Sequence, residues 1–106
     1  MQTPAGSVIL QVALAAALAP SAILANPSSY DGKAVTVTGT VAKYQTTDSA
    51  MGTVAAFQLC DSKCVLVIDQ TAGARTNGSK ATVTGTFETT FKGPLRTFNN
   101  VVLIKK

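Results

Sequence analysis

The chain has 106 residues, and nine Lys and Arg against five Asp and Glu give it a formal net charge of +4. This length accommodates one domain. With no His and only two Cys, the chain lacks the usual general base and cannot supply the four Cys or His ligands that are typical of a structural zinc site. We therefore predict no catalytic residue, no metal and no cofactor.

The N-terminal part of the chain is apolar. Residues 7–19 read SVILQVALAAALA, which is about the length of a signal-peptide core and shorter than the roughly 20 residues of a membrane-spanning helix. Pro20 breaks the run, and the small residues that follow predict cleavage after Ala25. We therefore predict that residues 1–25 are a signal peptide ahead of a folded domain at 26–106. The alternative is an apolar helix that is retained and packs on the domain.

The first strand is predicted at residues 34–44, where apolar and polar residues alternate. Threonines occupy one face, and the other face holds Val35, Val37, Gly39 and Val41. Gly39 inside this strand predicts a sharp bend or a β-bulge. The polar segment 44–52 predicts a loop.

Two further strands flank the cysteines. Residues 53–60 and the almost wholly apolar residues 64–69 predict two strands joined by a turn at 61–63. Cys60 and Cys64 lie opposite each other in such a hairpin, which makes a disulfide geometrically easy. A metal pair is the alternative, and the shortage of other ligands argues against it. Because disulfides persist in oxidising compartments, we predict a periplasmic or secreted protein.

The last two strands follow a connection at residues 70–79. Residues 80–87 read KATVTGTF and share the string TVTGT with the first strand. A turn at Gly93-Pro94 leads to the final strand at 96–104.

These elements predict an all-β fold: a five-stranded antiparallel Greek-key barrel preceded by an apolar N-terminal helix. Closure removes sheet edges that would otherwise pair with other chains. A small sandwich is the alternative. The predicted core consists of Val35, Val37, Val41, Phe57, Leu59, Val65, Val67, Val83, Phe87, Val101 and Leu103.

Four segments together resemble a known group of proteins. They are ILANPSSYDGK at residues 23–33 leading into VTVTGTV, FQLCD at 57–61, VTGTF at 83–87 and TFNN at 97–100. They resemble small exported bacterial OB-fold proteins of the anticodon-binding-like kind, a group of uncharacterised function. The resemblance covers residues 23–104 and implies an OB-like barrel. In that group the ILANPSSYDGK stretch often belongs to the domain, which would place residues 23–25 inside the fold.

We predict a non-enzymatic exported binding domain whose partner is a protein or another envelope component, with no membrane span in the mature form. The alternative is single-stranded nucleic acid or an oligosaccharide (a glycan) bound on the face of the second and third strands. Cations could contact phosphates and two aromatic rings could stack on bases. The candidate binding residues are Lys43, Tyr44, Lys63, Phe91, Lys92 and Arg96. The alternative roles are packing at the barrel mouth for the aromatic rings and a solvated surface for the cations.

Overall fold

The structure, a computed structural model, describes residues 17–50, 52–93 and 96–106. A short helix, α1 (Pro20–Ala25), and a 3₁₀ turn (Pro27–Ser29) precede five strands. The strands are β1 (Ala34–Ser49), β2 (Gly52–Cys60), β3 (Cys64–Asp69), β4 (Lys80–Lys92) and β5 (Thr97–Ile104). The prediction of a mostly-β fold is confirmed. The part of the predicted N-terminal helix that falls on residues 1–16 lies outside the described residues, as does Pro94 of the predicted turn.

The five strands pair in a ring, in the order β1-β2-β3-β5-β4, with β4 returning to β1. Four of the pairings are antiparallel, but β3 and β5 run parallel, with Leu66 opposite Val101. The prediction of a wholly antiparallel sheet is therefore wrong. Strand direction cannot alternate all the way round a ring with an odd number of strands, so one neighbouring pair must be parallel. The sheet is mixed for this reason.

The segment predicted as a loop at residues 44–52 is strand instead. β1 continues to Ser49 and pairs with β2, with Thr46 opposite Ala55 and Thr47 opposite Val54. Residues 45–49 are exposed on both faces, so their sequence does not show the alternation that marks a half-buried strand. The two strands therefore form a hairpin that extends beyond the core.

A β-bulge in β1 lies later than the sequence predicted. The pairing of β1 with β4 runs without interruption through Gly39, which is opposite Ala81. The register of β1 against β2 shifts between Ala42 and Gln45, and Lys43 there has a φ of 56°. The bulge is therefore at Lys43. Gly39 instead allows the backbone of β2 to come close to that of β1, since a Cβ placed there would lie 2.8 Å from the Cys60 carbonyl oxygen.

The interior of the ring holds the main apolar core. Phe57 and Phe87 are its largest side chains, and both are almost fully buried. The predicted core residues Val101 and Leu103 are buried as well, but they belong to a second cluster with Ile68. Val102 between them joins the interior cluster instead, so Val101 and Leu103 face the outside of the ring. We call this second group of residues the outer cluster.

The repeated string TVTGT brings β1 and β4 together. Val37 lies opposite Val83, and the threonines on either side pair through their hydroxyl groups. The Thr36 and Thr84 oxygens are 2.9 Å apart, and those of Thr38 and Thr82 are 2.7 Å apart. These cross-strand pairs stabilise the register in which the valines face the core.

The segment before α1 extends the sheet along the edge of β1 where β2 ends. Leu18 forms a parallel bridge with Val37. Its N–H donates to the Thr36 carbonyl at 2.8 Å, and its carbonyl accepts from the Thr38 N–H at 3.0 Å. Leu18 therefore satisfies two backbone groups of β1 that none of the strands β2–β5 reaches.

Helix α1 lies beside the turn between β2 and β3. Its Ile23 is fully buried in the interior cluster. The Ser21 hydroxyl donates to Asp61 Oδ2 at 2.5 Å, and the Ser21 N–H donates to Asp61 Oδ1 at 3.0 Å. The Cys60–Cys64 disulfide closes the same turn. The N-terminal segment and the disulfide hairpin are thus joined directly.

Gly85 is a second point at which two backbones approach closely. A Cβ on Gly85 would lie 2.5 Å from the Leu103 carbonyl oxygen, whereas a Cβ on Gly73 would meet nothing nearer than 3.6 Å. We expect Gly85→Ala to lower the free energy of unfolding by about 1–3 kcal/mol, because β5 must move away. Gly73→Ala, the matched control, should change it by less than about 1 kcal/mol. Urea unfolding of both variants measures this, and equal stabilities would contradict the close approach.

The Ser21–Asp61 contact predicts a dependence on pH. The Ser21 hydroxyl, and after it the Lys63 N–H, lowers the pKa of Asp61 below its usual value of 3.8. A carboxyl whose pKa is lowered by folding stabilises the protein above its unfolded pKa, and that stabilisation is lost as the pH falls through the folded pKa. We expect Ser21→Ala to raise the pKa of Asp61 and to weaken this acid dependence.

The measurement for this second prediction is an NMR titration of the Asp61 carboxyl carbon. Ser62→Ala is the control, since this neighbouring exposed serine makes no contact that accounts for the lowered pKa of Asp61. An Asp61 pKa that Ser21→Ala leaves unchanged would show that Ser21 does not stabilise the carboxylate.

Candidate functional site

A groove of about 430 Å³ lies on the outer face of the ring. It runs between β1, β2 and β3 on one side and the β4–β5 hairpin on the other. The residues that line it are Gln45, Thr47, Ala56, Gln58, Leu66, Ile68, Arg96 and Phe98. Arg96 is the one charged residue among them, so the lining carries a cation and no carboxylate. We call this feature the groove.

The floor of the groove comes from the outward-facing residues of β2 and β3. Phe57 and Val67 point into the interior, so Ala56 and Ile68, which lie opposite each other, point out. Gln58 and Leu66 form the next such pair along the two strands. The floor therefore combines apolar surface with one amide side chain that can both donate and accept hydrogen bonds.

The bulge at Lys43 decides which residues form one wall. Before the bulge, odd-numbered residues such as Val41 point into the core. After it, Tyr44 packs against the core, and Gln45 and Thr47 line the groove on the outer face. A single extra residue in β1 thus turns two polar side chains toward the groove that would otherwise point inward.

The opposite wall is the β4–β5 hairpin. The Arg96 guanidinium lies 4.8 Å from the centre of the Phe98 ring, in a cation–π contact. The Phe98 ring in turn stacks on Phe91 with 6.4 Å between centres, and both rings pack on the outer cluster. Asn100 in β5, next to Val101, has a φ of 56° and is therefore in a left-handed conformation. The hairpin therefore holds Arg96 on a packed aromatic base.

Tyr44, predicted to stack on a ligand, is held by the protein itself. Its hydroxyl donates to the Gly73 carbonyl at 3.0 Å, and its ring centre lies 6.0 Å from that of Phe57 in the core. The Tyr44 N–H donates to the Asn77 side chain at 2.9 Å. Tyr44 therefore ties the connection between β3 and β4 to one end of the ring.

The other predicted binding residues lie in three places. Phe91, Lys92 and Arg96 come together on the β4–β5 hairpin, where Lys92 is opposite Thr97. Lys43 is exposed at the bulge in β1, and Lys63 is exposed in the turn between β2 and β3. Of the six predicted residues, Arg96 lines the groove.

The connection between β3 and β4 holds a second arginine that the sequence analysis did not single out. The Arg75 guanidinium lies 5.6 Å from the centre of the Phe57 ring. Its Nε is buried and has no hydrogen-bond partner among the described residues. Arg75 and Tyr44 both cover the end of the core at Phe57. Packing on the core therefore accounts for the position of Arg75.

Several groove residues were missed by the sequence analysis. Phe98 and Gln58 belong to segments quoted for the resemblance, but nothing in their spacing marks them as binding residues. Gln45 and Thr47 fell in the predicted loop. The floor residues could have been found from the alternation of side chains in β2 and β3. Once Phe57 and Val67 are placed in the interior, the residues next to them in each strand must face outward.

In the described ranges 17–50, 52–93 and 96–106, no group of three or more His, Cys, Asp or Glu could hold a metal ion. None of the helices in these ranges is long and apolar enough to cross a membrane. Comparison of the sequence with protein-family models and with curated proteins, and of the structure with solved structures, found no match.

The hydrogen bond of Tyr44 gives a test of its structural role. We expect Tyr44→Phe to lower the free energy of unfolding by about 0.5–1.5 kcal/mol, because the partly buried Gly73 carbonyl loses its donor. Urea unfolding measures this change. Lys43→Ala, next in the chain and exposed, is the control and should change the stability by less than about 0.5 kcal/mol. Unchanged stability in Tyr44→Phe would show that the hydroxyl does not stabilise the fold.

Proposed function

We propose that this chain is an exported, non-enzymatic binding domain with an OB-type barrel, and that its groove holds an extended segment of a partner protein in the cell envelope. The observation that carries the proposal is the groove itself, with its apolar and amide floor and its single charge at Arg96. Export is supported by the Cys60–Cys64 disulfide, because such bonds persist in oxidising compartments.

The arrangement of the strands supports an OB-type barrel. OB domains are five-stranded barrels that bind ligands on the face of the second and third strands, between the loop joining the first two strands and the loop joining the last two. Here the floor of the groove lies on β2 and β3, and its walls are the β1–β2 and β4–β5 hairpins. The groove therefore lies at the position in the strand order where OB domains bind their ligands.

The aromatic residues favour a protein over single-stranded nucleic acid. Binding of single strands without sequence preference relies on exposed aromatic rings on which successive bases stack. Tyr44 is turned toward the core and hydrogen-bonded, and Phe91 packs on Phe98 and the outer cluster. The ring of Phe98 faces the Arg96 guanidinium. These rings are engaged within the protein, which leaves little surface for base stacking.

The free edge of β1 also favours a protein partner. Among the described residues, β4 pairs with β1 only from Ala34 to Thr40, so no strand lies beside the stretch 45–48 on that side. An unpaired strand edge offers backbone hydrogen bonds to an incoming strand. Gln45 and Thr47 belong both to this edge and to the groove. A segment paired there would place alternate side chains toward the groove.

The charge of the groove indicates what the segment carries. A guanidinium binds a carboxylate through charge-assisted hydrogen bonds, and Arg96 has no carboxylate among the residues that share the groove with it. The cation–π contact with Phe98 helps to hold the guanidinium beside the groove. We therefore expect the bound segment to present an Asp, a Glu or a C-terminal carboxylate to Arg96.

Site-specific photo-crosslinking in the exporting cell tests the proposal. A photoreactive amino acid at Gln58, on the floor of the groove, should give a discrete protein adduct, whereas the same group at Thr82, on the exposed face of β4, should give none. Arg96→Ala should abolish the adduct because it removes the partner of the carboxylate. Lys63→Ala, which removes the same charge from an exposed position outside the groove, should leave it intact.

Three results would contradict the proposal. An adduct that nuclease treatment removes would identify nucleic acid as the ligand. Equal adducts from Gln58 and Thr82 would show that the groove is not selective. Absence of any adduct at Gln58 in folded, exported protein would show that the groove is not occupied by a protein.

A further inference from the structure

We propose that the chain is processed by hydrolysis of the peptide bond between Ala17 and Leu18, so that the mature protein begins at Leu18. The inference rests on the export included in the proposed function, and it goes beyond that function by assigning a modification site. It differs from the cleavage after Ala25 that the sequence predicts. The difference arises from what residues 18–25 do in the fold.

Leu18 is the first residue in the described part of the chain that the sheet holds. Its N–H and carbonyl pair with the Thr36 carbonyl and the Thr38 N–H at 2.8 and 3.0 Å. Ala17 before it is exposed. A cut on the C-terminal side of Leu18 would leave two backbone groups of β1 without these partners, and unpaired backbone groups in a sheet are costly.

Helix α1 adds a second requirement. Pro20 and Ile23 are buried, and Ile23 is one of the larger side chains in the interior cluster. Ser21 holds Asp61 in the disulfide turn. Cleavage after Ala25 would remove all three residues and would open a cavity where Ile23 packs. The mature chain therefore has to retain the segment from Leu18 onward.

The sequence contains a signal-peptide cleavage motif directly before Leu18, the first residue that the fold requires. Signal peptides end in small residues of the pattern Ala-x-Ala after an apolar core of roughly 7–15 residues. The apolar stretch 8–14 is followed directly by Ala15-Ala16-Ala17. A cut after Ala19 would leave Pro20 as the first residue. Ala13-Leu14-Ala15 also has the Ala-x-Ala pattern, but a cut there would shorten the apolar core to residues 8–12, below the roughly 7–15 residues that a signal peptide needs. Cleavage after Ala17 satisfies both the signal and the fold.

The reaction is a simple hydrolysis. Water adds across the Ala17–Leu18 amide: its hydroxyl goes to the Ala17 carbonyl carbon, which becomes a carboxylate, and the nitrogen of Leu18 becomes an ammonium group. An ammonium group still donates hydrogen bonds, so the contact of Leu18 with the Thr36 carbonyl is kept and becomes charge-assisted. Processing at this bond therefore preserves the sheet contact that the uncut chain makes.

Expression of the full chain in an exporting bacterium, followed by intact-mass measurement and N-terminal sequencing of the exported protein, tests the assignment. We expect Leu18 as the first residue. Ala17→Leu places a bulky side chain at the last position of the signal and should eliminate the species that begins at Leu18. The matched control is Ala25→Leu, which changes an exposed residue at the end of α1 and should leave Leu18 as the first residue.

The assignment is overturned if the main species begins at Ala16, Pro20 or Asn26, or if it retains residues 1–17. It is also overturned if Ala25→Leu, and not Ala17→Leu, blocks processing. These outcomes are independent of the groove. Protein that begins at Leu18 but gives no adduct at Gln58 would refute the proposed partner and leave the processing site standing.

Discussion

The fold depends on two places where the backbones of neighbouring strands come unusually close. β2 approaches β1 at Gly39, and β5 approaches β4 at Gly85. A Cβ atom would lie 2.8 Å from the Cys60 carbonyl oxygen in the first place and 2.5 Å from the Leu103 carbonyl oxygen in the second. A side chain at either position would push the neighbouring strand away, so these approaches require residues without side chains.

Once the ring is closed, its two ends must be covered, and the chain uses different means at each end. Helix α1 covers the end next to the disulfide turn with Ile23, and the connection between β3 and β4 covers the other end with Tyr44 and Arg75. Neither cover is a long helix. Each depends on a few specific contacts, such as those of Ser21 with Asp61 and of Tyr44 with Gly73.

The disulfide turn links helix α1 to the sheet. Cys60 is opposite Cys64 in the β2–β3 pairing, and Asp61 between them holds Ser21 of α1. The position of Asp61, and with it that of α1, therefore depends on the geometry of a covalently closed turn. The disulfide is thus relevant to the N-terminal segment as well as to the hairpin.

The half-buried strands could be predicted from sequence because one face of each meets the core. The alternation in β1 and β4 and the apolar run in β3 identify these strands, and the spacing of Cys60 and Cys64 identifies the hairpin. The end of β1 could not be found in this way, because residues 45–49 are exposed on both faces and carry no periodic signal. A closed ring of five strands must contain a parallel pair, so the mixed sheet could have been predicted, but the number of strands alone does not identify β3 and β5 as that pair.

The groove was only partly accessible to sequence reasoning. Arg96 could be singled out because the predicted OB-like barrel places a cation of the last hairpin beside the face on which OB domains bind ligands. Gln45 and Thr47 could not, since their direction depends on one extra residue at Lys43. A bulge of this kind leaves no mark in composition, yet it reverses the face of every residue after it.

The pairing of the two TVTGT strings has a consequence for assembly of the chain. Val37 lies opposite Val83, with like threonines on either side, so the central part of this pairing is almost symmetric about a local two-fold axis. Because the two strings are identical, β1 of one molecule presents to β1 of another the same valine and threonine pattern that it meets in β4. Correct folding therefore requires that β4 of the same chain arrive first. The high effective concentration within one chain gives it that advantage at low protein concentration, and crowding of unfolded chains removes it.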